Sequence, residues 1–195
     1  MVPGLRKYSC EFSLDPNTIH RKLKWSEDKQ GVTWEWEEQL YPDHEDRFTS
    51  QTQVLSSTGL RGRCYWEVEW IVGVDIAVSY RRIRRRGTGR EGKFGENDQS
   101  WSLQIYYGQY SVHHNNIEKD IYIPGRRPSV DDVSSGRVGV FLDTEAGSLS
   151  FYDVLYDGKL IHLYTFTSSF TEPLFPGFGL WDDYSSVSVV KVKTQ

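Results

Sequence analysis

A strict alternation of apolar and polar residues between positions 64 and 70 constrains the fold of this chain more than any other feature. One side of the run carries Cys64, Trp66, Val68 and Trp70, and the other side carries Tyr65, Glu67 and Glu69. A period of two residues is typical of a β-strand with one face in a hydrophobic core. The same period recurs in later segments that begin at Val74, Trp101, Val138, Leu149 and Val187. The chain is therefore predicted to contain many short strands.

Turn residues separate these alternating segments. Ala146-Gly147 and Asp157-Gly158 each lie between two such segments, so both dipeptides are predicted to close β-hairpins. No window of a dozen residues has the 3.6-residue period of an amphipathic helix. Aromatic residues make up 14% of the chain, a share that suits pleated sheets better than helices. The sequence therefore predicts an all-β fold, an antiparallel sandwich or barrel.

Length and composition set the class of protein. A chain of 195 residues can bury one hydrophobic core of its own. It contains no stretch of 18 apolar residues, and its first 20 residues lack the apolar core of a signal peptide. Cys10 and Cys64 are the only cysteines, and no Asn-X-Ser/Thr acceptor for glycosylation occurs. We therefore expect a soluble cytoplasmic domain, with no membrane insertion and with both cysteines as free thiols.

No group of residues typical of a catalytic or metal site stands out. The patterns G-x-S-x-G, H-E-x-x-H and C-x-x-C are absent. His113 and His114 are neighbours on a predicted strand, so their rings should point to opposite faces and cannot share one metal ion. Residues 87–92 match G-x-G-x-x-G, but no predicted helix follows, which favours a mobile surface loop over a phosphate site. We expect neither an enzyme nor a bound cofactor or metal.

Two long polar segments carry opposite charges. Residues 81–93 contain six arginines, one lysine and one glutamate, whereas residues 35–46 contain six carboxylates and no lysine or arginine. The basic segment can bind nucleic acid or another anion, remain a solvated loop, or pair with the acidic segment of its own molecule. General nucleic-acid binding is less favoured, because the formal net charge of the chain is −4.

Four motifs, in the same order along the chain, resemble the PRY–SPRY family. Residues 14–20 resemble the opening of a PRY segment, and residues 62–69 are similar to the SPRY strand G-R-x-Y-W-E-V-E. Residues 141–152 are similar to F-L-D-Y-E-A-G-x-x-S-F-Y, although Thr144 replaces the usual aromatic residue. Residues 173–178 resemble P-L-x-P-x-F. The residues of the PRY opening and of positions 41–48 look most like those of the expanded immune members of the family in fish.

The resemblance implies a concanavalin-like antiparallel β-sandwich with long variable loops. A flexible start at residues 1–7 is expected to precede a PRY segment at 8–60 and a SPRY segment at 61–195, which form one integrated domain. Such domains are non-catalytic recognition modules of tripartite-motif ubiquitin ligases, which carry a RING, a B-box and a coiled coil, and of butyrophilins and fish NLR receptors.

The resemblance also implies a function. We expect this domain to bind a host or pathogen protein and to target it for an attached RING-type ubiquitin ligase in innate immunity. The isolated domain is expected to be monomeric, and the parent protein is expected to be a coiled-coil dimer. Two other functions stay open at this point: recognition of RNA or another anionic ligand by residues 81–93, and carbohydrate binding, which the sandwich class alone suggests.

In this family, ligands meet a shallow face lined by variable loops and by the residues at one sheet edge. If Trp101 and Leu103 point into the core, Gln104 and Tyr106 point outwards. Tyr106 matches a position at which family members use an aromatic residue, whereas Gln104 argues against an antibody-type ligand. The residues expected to contact the ligand are Trp34, Trp36, Arg82, Arg84, Gln104, Tyr106, Tyr107, Tyr110, Trp181, Asp182 and Asp183. For Trp34 and Trp36, simple packing on the sandwich is an equal alternative.

Overall fold

Two antiparallel sheets, packed face to face, make up the computed structural model, which describes residues 4–87, 89–123 and 134–193. The strands described are β1 (Leu23–Trp25), β2 (Gly31–Trp34), β3 (Gln53–Leu55), β4 (Arg63–Ile71), β5 (Gly73–Ser79), β6 (Ser100–Tyr106), β7 (Gln109–His114), β8 (Ile117–Ile121), β9 (Ser135–Asp143), β10 (Ser148–Val154), β11 (Leu160–Thr167), β12 (Phe175–Gly179) and β13 (Ser186–Val190). Short 3-10 helices occupy Leu5–Tyr8 and Arg90–Gly92.

The strand order connects distant parts of the chain. One sheet has seven strands in the order β1-β2-β13-β4-β9-β10-β11, and the other has six in the order β3-β12-β5-β6-β7-β8. Strands β2 and β3 of the expected PRY segment thus join sheets made mainly of later strands. The all-β sandwich predicted from the alternation is confirmed. Within the described residues, no helix is long and apolar enough to cross a bilayer.

The alternating residues supply the core between the two sheets. Trp66 and Trp70 of β4 and Trp101 of β6 are each at most 2% exposed, which confirms their predicted place in the core. Each fully buried side chain of this size contributes about 2 to 3 kcal/mol of hydrophobic stabilisation. Both predicted hairpins are also present, one joining β9 to β10 at Ala146-Gly147 and one joining β10 to β11 at Asp157-Gly158.

The outer face of β4 differs from the expectation drawn from alternation. Tyr65 and Glu67 point away from the central core, yet both are almost fully buried. The helix Leu5–Tyr8 covers them, and Arg6 Nε donates to Glu67 Oε2 at 3.0 Å. Tyr65 donates its hydroxyl proton to the same carboxylate at 2.6 Å. Period-two alternation indicates the direction of a side chain, whereas a segment distant in sequence decides whether water reaches it.

The interpretation of the two cysteines as free thiols is wrong. Cys10 and Cys64 form a disulfide, with their Cα atoms 5.5 Å apart. The chain after the first 3-10 helix runs alongside β4. Ser9 forms an isolated parallel β-bridge with Tyr65, and the Cys10 N–H donates to the Tyr65 carbonyl at 3.1 Å. This backbone pairing brings together two cysteines that are 54 residues apart. Two widely spaced cysteines therefore gave no local signal of their pairing.

Candidate functional site

Exposed and partly exposed aromatic rings meet carboxylates at one end of the six-stranded sheet. Tyr106 ends β6, and its ring centroid lies 4.6 Å from that of Tyr107 and 6.1 Å from that of Trp181. The Tyr106 hydroxyl donates to Asp182 Oδ2 at 3.4 Å. We call Tyr106, Tyr107, Trp181, Asp182 and Asp183 the aromatic–acidic face. The structure thus brings together five of the residues that the sequence analysis proposed for ligand contact.

The turn between β6 and β7 presents the two tyrosines. Tyr107 and Gly108 both have positive φ angles, +48° and +76°, as a two-residue hairpin turn of type I′ requires. The Tyr107 N–H donates to the carbonyl of Val72 at 3.1 Å, which ties this turn to the turn between β4 and β5. Gly73 lies opposite Tyr106, and a Cβ atom there would be 3.0 Å from the Tyr106 ring. A side chain at this position would displace the Tyr106 ring by a few tenths of an ångström, so glycine favours this close approach to the backbone.

Trp181 lies against a partly buried ion pair. Lys93 Nζ lies 5.4 Å from the centroid of the Trp181 ring and 3.3 Å from Oδ2 of Asp75. Asp75 is almost fully buried, and its negative charge raises the pKa of Lys93. A charged ammonium group close to an indole ring attracts the negative face of that ring. No sequence pattern indicated a role for Lys93 or Asp75 beside Trp181, because only the tertiary fold brings the loop that carries Lys93 against strand β5.

Negative charge accumulates on this face. The side-chain hydrogen bond between Asp182 and Asp183 raises the pKa of Asp183. Partial desolvation, followed by the charge of Asp182, raises the pKa of Tyr106. Neither aspartate takes part in an ion pair with any residue that the structure describes. The face therefore offers carboxylates that are available to a positively charged group of another molecule.

Gln104 and the Trp34–Trp36 pair border this face. Gln104 is partly exposed and lies opposite Asp75 in the register of β5 and β6. Trp34 packs partly against the core, whereas Trp36 is 70% exposed, and their ring centroids are 4.9 Å apart. The Trp34 N–H donates to the carbonyl of Ser185 at 3.2 Å, so this pair adjoins the segment that carries Trp181. One tryptophan of the pair is thus a packing residue, and the other is open to solvent.

Tyr110 does not belong to the face, and its predicted role in ligand contact is wrong. It is 4% exposed and packs edge-on against Trp70, with ring centroids 6.2 Å apart. The hairpin register pairs Tyr110 with Ile105, a core residue. Directly opposite residues of an antiparallel pair point to the same side of the sheet. Tyr110 therefore faces the core, whereas Tyr106 faces solvent.

The arginine-rich segment is held by ion pairs within its own molecule. Arg82 pairs with Glu172 at 2.8 Å, and Arg84 pairs with Glu91 at 2.7 Å. All four side chains are at the surface, so water screens both pairs and each adds little to stability. These two arginines were proposed for ligand contact, and the structure places both in surface pairs on the loop rather than in the aromatic–acidic face.

Arg81 and Arg85 anchor this segment more firmly. Arg81 pairs with Asp15 at 3.0 Å and with Asp46 at 3.1 Å. Arg85 donates to the carbonyl of Asp46 at 2.5 Å, and desolvation lowers the pKa of its guanidinium group to about 10. Pairing with the acidic segment was one of the alternatives that the sequence left open, and the contacts of Arg81 and Arg85 with Asp46 show that this pairing occurs. Arg86 and Arg90 are exposed and take part in no ion pair with a described residue.

The segment that follows these arginines covers the outer face of the six-stranded sheet. Phe94 is 1% exposed and packs against Phe48, with ring centroids 5.9 Å apart. A Cβ atom on Gly177 of β12 would lie 2.7 Å from the Phe94 ring, so glycine makes this close packing feasible. Phe94 is therefore packed on the sheet, whereas the described residues of 87–92, for which the sequence favoured a surface loop, are mostly exposed. Thr88 lies outside the described residues.

The geometry of the histidines offers no shared ligand position. His114 stacks on the core residue Trp101 with ring centroids 4.5 Å apart, whereas His113 Nε2 lies 2.9 Å from Ser111 Oγ. The predicted orientation of the two rings towards opposite faces is confirmed. Among the residues that the structure describes, no group of three or more His, Cys, Asp or Glu side chains is arranged to hold a metal ion.

Comparison with known families gives two matches. The family model described as SPRY-associated domain (PRY) matches residues 12–60, and the SPRY domain model matches residues 63–191. Stonustoxin subunit alpha of Synanceia horrida is 35% identical over 174 residues, which cover 89% of this chain and 24% of the toxin subunit. Tripartite motif-containing protein 14 of Mus musculus is 38% identical over 185 residues, which cover 93% of this chain and 40% of that protein. The chain thus spans well under half the length of these relatives.

Solved structures show the same architecture. A stonustoxin structure superimposes with a TM-score of 0.83 at 34% identity and covers 94% of this chain, which corresponds to 29% of the toxin chain. The TRIM65 PSpry domain superimposes with a TM-score of 0.80 at 24% identity and covers 96% of this chain and 93% of that domain. The second likeness concerns the fold alone.

Proposed function

This chain belongs to the PRY–SPRY family, and we propose that it is a non-catalytic recognition module whose aromatic–acidic face binds a protein ligand. The observation that carries the proposal is the clustering of Tyr106, Tyr107 and Trp181 at one end of a sheet, where Tyr106 is 43% exposed. Tyrosine and tryptophan are the residues most often found as energetic hot spots of protein interfaces. A binding function explains why large rings remain open to solvent here.

The residues that hold these rings in position also favour a binding function. Tyr106 lies over Gly73, Tyr107 is held by a tight hairpin turn, and Trp181 contacts Lys93. Side chains that are already ordered before binding lose less conformational entropy when a ligand arrives. A face built from the end of a sheet and short turns is therefore suited to recognition of a partner with little rearrangement.

The finer part of the proposal concerns the parent protein. We propose that the ligand is targeted for ubiquitylation by an attached RING-type ligase in the cytoplasm, as part of innate immunity. Similarity to a tripartite motif-containing protein supports this assignment. The ligase activity would reside outside these 195 residues, because two cysteines joined in a disulfide cannot provide the zinc ligands of a RING.

A crosslinked pull-down tests the recognition proposal. The bait is this domain, used beside the Tyr106→Ala/Trp181→Ala variant, on lysates of infected and uninfected fish cells. Tyr156→Ala is the matched control, because Tyr156 is a fully exposed tyrosine on the hairpin between β10 and β11. A protein captured by the wild type and the control, but not by the double variant, supports the proposal. Equal capture by all three removes the aromatic–acidic face as the binding surface.

The alternative function is recognition of RNA or another anionic ligand by residues 81–93. It is less well supported, because Arg81 and Arg85 are engaged with the acidic segment, and Arg82 and Arg84 pair with glutamates. A nuclease-treated arm of the same pull-down, together with an Arg86→Gln/Arg90→Gln variant, distinguishes the two functions. Signal lost with nuclease and with this variant, but retained in Tyr106→Ala/Trp181→Ala, would put nucleic acid first.

A further inference from the structure

Asp182 and Asp183, the acidic pair of the aromatic–acidic face, differ from the acidic residues of the surrounding loops in their ion pairing. Asp46, Glu91 and Glu172 each pair with an arginine of the 81–93 segment. Asp182 and Asp183 lie side by side on the surface and have no such partner among the described residues. Lys93 contacts Trp181, but its charge is already opposed by the buried carboxylate of Asp75. The charge of the acidic pair therefore remains available for a ligand.

Aromatic rings surround these carboxylates. The Tyr106 hydroxyl reaches Asp182, and the Tyr106 ring adjoins those of Tyr107 and Trp181. Tyr184, in the same segment as the two aspartates, is 82% exposed. A cation on an aromatic face is attracted by the negative charge of the ring face, and hydrogen bonds to nearby carboxylates stabilise it further. Rings beside two carboxylates therefore suit a positively charged planar group.

A buried hydroxyl below the rings supplies an independent observation. Ser185 is 1% exposed, and its Oγ atom has no hydrogen-bond partner in the described part of the chain. A Cβ atom placed on Gly73 would lie 3.0 Å from the Tyr106 ring, 3.5 Å from the Trp181 ring and 3.6 Å from Ser185 Oγ. The hydroxyl therefore lies where the two rings converge. Buried polar atoms are normally hydrogen-bonded, so an unsatisfied one at this point indicates a missing partner.

From this geometry we infer that the protein ligand presents an arginine side chain to the aromatic–acidic face, where its guanidinium group stacks on the rings and binds Asp182 and Asp183. This inference rests on the proposed function. Arginine fits better than lysine, because guanidinium is planar, stacks on aromatic rings and donates two parallel hydrogen bonds to a carboxylate. One of its five N–H groups donates to the Ser185 oxygen when the two rings that cover this buried atom move apart.

The experiment uses a displayed library of random 12-residue peptides, selected on the folded 195-residue chain. Selected peptides are synthesised with the shared basic residue as arginine, lysine or citrulline, which has the shape of arginine without its charge. Affinities are measured for the wild type, Tyr106→Ala/Trp181→Ala and Asp182→Asn/Asp183→Asn. Glu118→Gln/Asp120→Asn is the matched control, because it removes two exposed carboxylates from strand β8.

The expected result is an arginine common to the peptides that require Tyr106 and Trp181. Replacement of the arginine by citrulline should lower their affinity at least about tenfold, and so should the Asp182→Asn/Asp183→Asn variant. Both changes together should lower the affinity little more than either change alone. Peptides that require both rings but lack arginine, or that tolerate citrulline, would overturn the inference and leave the proposed function standing. Recovery of no peptide that depends on the rings would overturn the proposed function itself.

Discussion

Lys93 Nζ lies 3.3 Å from Oδ2 of Asp75, a carboxylate that is almost fully buried beside the aromatic–acidic face. Lys93 lies in the loop that packs on the six-stranded sheet, and Asp75 lies in strand β5 of that sheet. The ion pair therefore holds the loop on the sheet. The ammonium group also contacts Trp181. One interaction thus links the stability of the loop to the position of a proposed ligand-binding residue.

Replacement of Lys93 by methionine should destabilise the domain. Removal of one partner leaves the buried Asp75 carboxylate without its counter-charge, and we expect the free energy of unfolding to fall by about 2 to 4 kcal/mol. Urea denaturation measures this change. The Lys93→Met/Asp75→Asn double variant should regain part of the loss, because no uncompensated charge remains. A single variant as stable as the wild type would show that the ion pair contributes little.

Tyr106 and Tyr110 should respond differently to replacement by alanine. Tyr106→Ala should weaken ligand binding by about 2 kcal/mol and change stability by less than about 1 kcal/mol, because the ring is 43% exposed. Tyr110→Ala should lower stability by about 3 kcal/mol, because the ring lies in the core against Trp70. Thermal unfolding and affinity for a captured ligand measure the two effects. Comparable destabilisation by both variants would contradict the outward orientation of Tyr106.

His20 should make the stability depend on pH. Burial lowers its pKa, and its ring bonds the Thr49 carbonyl through Nε2 and accepts the Lys22 N–H at Nδ1, as only a neutral imidazole can. The unfolded chain binds the proton more readily, so the free energy of unfolding should fall as the pH drops below about 6.5 towards the pKa of the folded state.

Denaturation at pH 7.5 and pH 5.5 tests the effect of His20. The His20→Gln variant should lose less stability between these two pH values than the wild type does. His162→Gln is the matched control, because His162 is an exposed histidine on β11. An equal loss of stability in the wild type and in His20→Gln would show that other groups cause the pH dependence.

The Cys10–Cys64 disulfide should stabilise the oxidised domain. It closes a long loop, since the two cysteines are 54 residues apart, and chain entropy predicts a contribution of up to about 4 kcal/mol. Cys10→Ser should lower the midpoint of thermal unfolding under oxidising conditions. The same variant should match the wild type in the presence of dithiothreitol. A wild-type midpoint that does not change on reduction would contradict a stabilising role.

Local chemistry explains why the sandwich could be predicted from sequence. The period of two between positions 64 and 70 reflects the geometry of a single strand, so it identified Trp66 and Trp70 as core residues without knowledge of the neighbouring strands. The hairpin at Ala146-Gly147 depends on residues close in the chain, and it was predicted for the same reason. Both inferences needed only the conformation of a short segment.

The candidate site could be predicted in part. Trp181, Asp182 and Asp183 were proposed from the resemblance to the family, and strand parity gave the outward direction of Tyr106. Tyr110 was misplaced, because its direction depends on the hairpin register that pairs it with Ile105. A shift of one residue in register turns every side chain of a strand to the opposite face of the sheet. A turn that contains Tyr107 and Gly108, with positive φ at both, gave too weak a sequence signal to set this register.

The sequence by itself determined the all-β class, the strands that supply the core and the family, because alternation, turns and motifs are properties of neighbouring residues. Only the tertiary structure decided that Cys10 meets Cys64, that Arg81 meets Asp46, and that Ser185 lies beneath two aromatic rings. Each of these contacts joins segments far apart in the chain. Their formation depends on the packing of whole sheets and loops, and no local pattern of residues contains that information.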